Sequence, residues 1–138
     1  MKSIIVDTNT LISFVTDRNP KQQEQAALLF KSASRLELSI TLHLNVITEF
    51  VYVMDKIYDI DRSKISEIIS DLLNMPGINL ICEIDMKSVL ALWSPSISDY
   101  GDALLAALCL KSKNSAIATF DKQFKKSLST LSLPVYSF

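Results

Sequence analysis

Short apolar runs alternate with helix-spaced apolar stripes along this chain. Ile4-Ile5-Val6 is a run suited to a strand buried on both faces. Asp7-Thr8-Asn9-Thr10 then forms a polar break rich in helix-capping residue types, and residues 11–15 read as a short helix. Pro20 suits the start of a second helix over 20–34, with Ala26, Leu29, Phe30 and Ala33 on one stripe. Residues 37–41 alternate as a second strand. The apolar spacing over 44–58 is helical, and another helix covers about 63–73 before Pro76-Gly77. A third strand is expected at 79–84 and a short helix over 86–93, which Pro95 stops. Residues 103–110 are apolar on every side, the mark of a helix enclosed by other elements. Lys113-Asn114-Ser115 is the turn after it, and Asn tolerates the left-handed conformation such a stop requires. A fourth strand at 116–119, a small helix near Phe124 and an apolar piece at 133–136 complete the chain.

Strand–helix alternation of this kind predicts an α/β domain. Its sheet is central, mainly parallel and of about four to five strands, with helices on both faces. The 138 residues fit one domain, 1–138. With 49% hydrophobic and 21% charged residues and only two glycines, a disordered or collagen-like chain is excluded. The absence of a long uncharged apolar run argues against a membrane span. Asp7 interrupts any signal-peptide apolar region, so a cytoplasmic protein is expected. Cys82 and Cys109 are expected as buried thiols, and one histidine with two cysteines nearly excludes a Cys/His zinc site.

In open parallel sheets the site lies beyond the carboxyl ends of the strands. Asp7 follows the first expected strand and Asp121 the fourth. Asp99 and Asp102, three apart, open the enclosed helix and face the same way. Glu49 lies on the less apolar face of the middle helix, with Asn45, Tyr52 and Lys56. These five carboxylates can meet at one edge of the sheet. Gathered acids repel and titrate upward unless a cation joins them, which suits Mg²⁺ or Mn²⁺. One or two such ions can activate water and stabilise the charge on a phosphodiester being cleaved.

The chain resembles the PIN-domain ribonucleases, and among them the small VapC-type toxins of toxin–antitoxin pairs. The resemblance rests on four motifs in order: residues 4–9, Glu49, residues 99–107 and residues 119–124. It implies a PIN-like three-layer fold and a metal-dependent endoribonuclease leaving 5′-phosphate and 3′-hydroxyl ends. It carries over Asp7, Glu49, Asp102 and Asp121 as the acidic set, with Asp99 as a further acid at the metal and Asn9 and Thr119 as hydrogen-bonding support. It also implies a homodimer and a small antitoxin protein as partner. Gln123 departs from the pattern, since relatives often carry an acid there; so does Asn114, where glycine is common.

Plainer readings stand beside these. Asp7 and Asp121 can simply open polar loops, Glu49 can belong to a solvated face, and Asp99 can cap its helix as well as touch metal. His43 reads as a loop or partly buried residue. Trp93, Tyr52 and Tyr58 read as core or dimer contacts. Lys122, Lys125 and Lys126 suit either a solvated helix face or contacts to RNA phosphates, and Arg18 and Lys21 are weaker candidates of the same kind. Setting the five site acids aside turns the net charge of −1 into +4 for the rest of the chain, mildly favourable to RNA. Two rival readings remain. One is a metal-dependent phosphatase-type or phospho-acceptor α/β protein, although Asp7-Thr8-Asn9 lacks the Asp-x-Asp pairing common there. The other is a catalytically silent PIN-like binding module.

Overall fold

The computed structural model describes every residue from Met1 to Phe138. Four strands, β1 (Ser3–Val6), β2 (Ser39–His43), β3 (Ile78–Ile81) and β4 (Ser115–Ala118), form one sheet in the order β3-β2-β1-β4. All neighbours pair in parallel, with Ile4 opposite both Ile40 and Ala116. Val135 adds an isolated parallel bridge to Ile117, so the expected apolar piece at the C-terminal end extends the sheet by one residue pair rather than a full strand. β1 is an inner strand and apolar after Ser3 because it is covered on both faces; Ile4, Ile5 and Val6 are all buried.

Seven α-helices flank the sheet. α1 (Thr8–Val15) and α2 (Pro20–Ser34) join β1 to β2. α3 (Leu44–Tyr52), continued by a π-helical turn at Val53–Ile57, and α4 (Arg62–Asn74) join β2 to β3. α5 (Met86–Leu92) and α6 (Tyr100–Lys111) carry the chain across to β4, and α7 (Lys122–Thr130) follows. The connections therefore run one way from β1 and the other way into β4, so β1 and β4 flank the point where the winding reverses. That is where such sheets open a crevice beyond their carboxyl ends.

Several boundaries differ from the sequence expectation, each for a local reason. α1 starts at Thr8 rather than at residue 11, because the Asp7 carboxylate caps it and the polar residues supply its first turn. β2 starts two residues late. Leu36, at φ 59°, and Glu37 spend their N–H groups on the last carbonyls of α2 before the strand begins. β3 is shorter than expected and lies at the sheet edge, which leaves Cys82 just beyond it exposed rather than buried; Cys109 is buried as expected. His43 is fully buried, not a loop residue. Its Nδ1 accepts the Asn45 backbone N–H at 3.0 Å and its Nε2 pairs with the Glu83 carbonyl at 2.8 Å, tying β2 to the start of α3. α6 is enclosed through Ala107, whereas Leu110 near its end is 54% exposed. Tyr52, Tyr58 and Trp93 are also exposed and do not belong to the core. Asn114 adopts the expected left-handed turn at φ 55°. Gly77, at φ 79°, permits a close approach: a Cβ there would lie 2.3 Å from the Ala33 carbonyl oxygen.

Candidate active site

The carboxyl ends of β1 and β4 are tied together before any functional side chain is considered. Asp7 N–H donates to the Ala118 carbonyl at 3.3 Å, and the Thr10 hydroxyl donates to the same oxygen at 3.2 Å. Three helices then begin at this edge on aspartate caps. Asp7 Oδ1 accepts Thr10 N–H at 2.8 Å, Asp99 Oδ1 accepts Asp102 N–H at 2.9 Å, and Asp121 Oδ1 accepts Phe124 N–H at 3.0 Å. Capping fixes each side chain through one oxygen. The positive ends of α1, α6 and α7 also favour negative charge beside them.

The result is a small cavity of about 110 Å³ lined by Asp7, Thr8, Asn9, Glu49, Asp99, Gly101, Asp102, Leu105 and Asp121. All five carboxylates named from the sequence meet there, from four separate stretches of chain. None of them forms an ion pair with a lysine or arginine.

Glu49 arrives from α3. Asn45, one turn earlier on that helix, donates its amide to Glu49 Oε1 at 2.8 Å. The carboxylate leans onto the first turn of α6. A methyl group added at Gly101 would lie 2.9 Å from Glu49 Oε1 and 3.3 Å from Asp99 Oδ1, so only glycine leaves that space open. Thr8, Gly101 and Leu105 are the lining residues that sequence reasoning did not single out. Thr8 directly follows Asp7, and Gly101 stands between two named acids; neither has a chemical group that demands a site role on its own.

The expected supporting residues divide. Thr119 is fully buried, accepts the Asp121 backbone N–H at 3.1 Å and hydrogen-bonds the Asp7 carboxylate. Asn9 lines the cavity, and its backbone carbonyl accepts a 3.0 Å hydrogen bond from Arg18, which itself lines no part of it. Lys122, Lys125 and Lys126 line no part of this cavity.

Charge crowding shows in the titration of the acids. Burial, and then Asp99, Asp7, Asp121 and Glu49 in that order, push Asp102 up to about 7. Burial raises Asp7, which is only 5% exposed, against the opposing hydrogen bonds from Thr119 and Thr10. Burial and the Asp99 charge raise Glu49, while hydrogen bonds from Thr8 and Asn45 hold it back.

This donor set suits a hard divalent cation. It is all oxygen, it is anionic, and its mutual repulsion is what a bound cation relieves. No three carboxylates converge as a closed shell, so binding an ion requires some of these side chains to turn inward. The caps occupy one oxygen each on Asp99 and Asp121 and leave the other to do so, whereas Asp7 takes hydrogen bonds from Thr119 as well as Thr10.

No helix of the chain is long and apolar enough to cross a membrane. No curated protein matches the chain in sequence. The family model of the PIN domain, in contrast, matches residues 4–127, from β1 through most of α7. The chain belongs to the PIN-domain family, whose members are typically metal-dependent nucleases.

Proposed function

We propose that this protein is an Mg²⁺- or Mn²⁺-dependent endoribonuclease and the toxin of a type II toxin–antitoxin pair. The observation that carries the nuclease reading is the pocket of five carboxylates without a cationic partner, set where β1 and β4 end. The toxin reading rests on the VapC-like order of motifs, and it brings with it an antitoxin partner and a homodimer. The family favours this reading over a phosphatase-type enzyme, which would leave Glu49 without a role. The full acidic set argues against a silent binding module.

Asp7, Asp99, Asp102 and Asp121 are the residues that would hold the ion, with Glu49 beside them. The ion would supply a water of lowered pKa and charge neutralisation at the phosphodiester. Hydrolysis consumes one water: a new O–P bond forms, the P–O3′ bond breaks, and 5′-phosphate and 3′-hydroxyl ends result. The protein's own part is positioning. Asn45 and Thr8 orient Glu49, Thr119 braces Asp7 and Asp121, and burial keeps the Asp7 carboxylate poorly hydrated. The starts of three helices point backbone N–H groups toward the edge where a phosphate would lie.

The test is cleavage of a structured RNA pool by purified protein in Mg²⁺, in Mn²⁺ and in EDTA, with Asp102→Asn as control. Metal-dependent cleavage that disappears in the control supports the nuclease. Cleavage that persists in EDTA, or in Asp102→Asn, contradicts it. Growth arrest on expression, absent for Asp102→Asn, tests the toxin role separately.

A further inference from the structure

The carboxylate pocket does not end at its acids. A second cavity of about 140 Å³ shares Asp99, Asp102 and Asp121 with it and continues to Gln123 and Ser127. A third, of about 280 Å³, shares Gln123 and Ser127 with the second and reaches Ser96, Lys126 and Thr130. The three spaces lie in a row, each sharing wall residues with the next, and together outline a groove. Its walls are the loop before α6 and one face of α7. Helical spacing defines that face: residues 123, 126, 127 and 130 lie together, while Phe124 and Leu128 turn inward to the core. Lys122 and Lys125 fall on neither side, and they line none of the three cavities.

We propose that this groove is the path of the RNA strand leaving the site, with Lys126 binding a backbone phosphate and Gln123 holding the nucleotide nearest the scissile bond. The proposal rests on the nuclease reading. A scissile phosphate placed among the carboxylates needs space beside them for its neighbouring nucleotide, and this groove begins on three of those same carboxylates. Its chemistry fits a single strand. One lysine matches one phosphate, and the amide and hydroxyl groups of Gln123, Ser127, Ser96 and Thr130 suit sugar and base edges. A neutral side chain at 123 also matters. Gln123 stands beside Asp99, Asp102 and Asp121, where its amide can donate to a nucleotide without adding to the acidic charge.

The proposal separates three lysines that the sequence alone treats alike. The measurement is binding of a short, fluorescently labelled single-stranded RNA with Mg²⁺ across a salt series, in the Asp102→Asn background so that the probe stays intact. Lys126→Ala is expected to weaken binding and lower the slope of log affinity against log salt by about 0.7, the value for one phosphate contact on a single strand. Lys122→Ala and Lys125→Ala are expected to leave that slope unchanged. Gln123→Ala should weaken binding about 3- to 10-fold, as for one lost hydrogen-bonding group, with no change of slope. Gln123→Glu should weaken it more. All four side chains lie at the surface or partly so, and thermal melts verify that each variant folds.

An unchanged slope in Lys126→Ala, or an equal loss in Lys122→Ala or Lys125→Ala, overturns the groove. If the wild type still cleaves RNA in that case, the nuclease reading survives without it. If the wild type neither binds nor cleaves RNA, the nuclease reading fails and the groove fails with it.

Discussion

Four helices in this protein begin on an aspartate whose side chain caps them, and one of the four differs from the others in its surroundings. Asp85, at the start of α5, uses both oxygens on Ser88 and is ion-paired with Lys111 at the end of α6. Its charge is matched, and it lies away from the carboxylate pocket. Asp7, Asp99 and Asp121 make the same local motif but line one cavity with two further acids and no cation. The cap alone is therefore a structural device. What marks a candidate site is capping combined with uncompensated charge, because folding gathers those carboxylates against their own repulsion.

The contrast can be broken most directly at Asp102, which the repulsion loads most heavily. Asp102→Asn should reduce metal-dependent cleavage by at least about 100-fold. It should also melt at a higher temperature than the wild type in EDTA, because a strained charge has gone. Loss of activity together with loss of stability would mean that Asp102 serves the fold instead. A smaller effect is expected from Gly101→Ala. The added methyl must displace Glu49, so activity should fall about 10-fold, within the range for a misplaced group. Stability should hold or rise by about 0.5–1 kcal/mol, since alanine suits a helix better than glycine. Equal activity in this variant would show that the placement of Glu49 is not critical.

The acidic cluster also sets a pH dependence whose sign is fixed. Asp7, Glu49 and Asp102 titrate above their ordinary values in the folded protein. The folded state thus holds more protons than the unfolded state between the ordinary carboxylate range and about 7. In EDTA, stability should be fully present at pH values below that window and decline as pH rises through it toward 7. Melting temperatures across that range check the slope, and Asp102→Asn should flatten it. Added Mn²⁺ should raise the melting temperature more at the alkaline end. A stability that rises with pH through the same window would contradict the crowding. The smallest effect belongs to the matched cap: Asp85→Asn should cost at most about 1 kcal/mol and leave cleavage unchanged.

The sequence made the pocket legible because its acids sit at positions that topology alone dictates. Asp7 and Asp121 follow strands that pair with each other, and a parallel sheet sends both to the same edge. The periodicity of 20–34 marked α2 without error because Pro20 opens it and its four-residue stripe is buried throughout. Less legible were features set by tertiary partners. Burial of His43 depends on the Glu83 carbonyl, forty residues away, and exposure of Cys82 depends on β3 being the outermost strand. The space beside Gly101 exists only once α3 and α6 have met. The difference among Lys122, Lys125 and Lys126 follows from the phase of α7, which depends on where Phe124 and Leu128 are buried.

The strand order carries a consequence for synthesis. β1 is the first strand of the sheet to be made, yet one of its two neighbours, β4, is the last to appear. Until residues 115–118 emerge, one edge of the most apolar strand stays open, a template for pairing with other chains and a reason for slow, late closure. The same insertion brings Asp121 to Asp7. A growing chain therefore carries an exposed edge and no complete acidic pocket, and one late event closes the edge and assembles the pocket together.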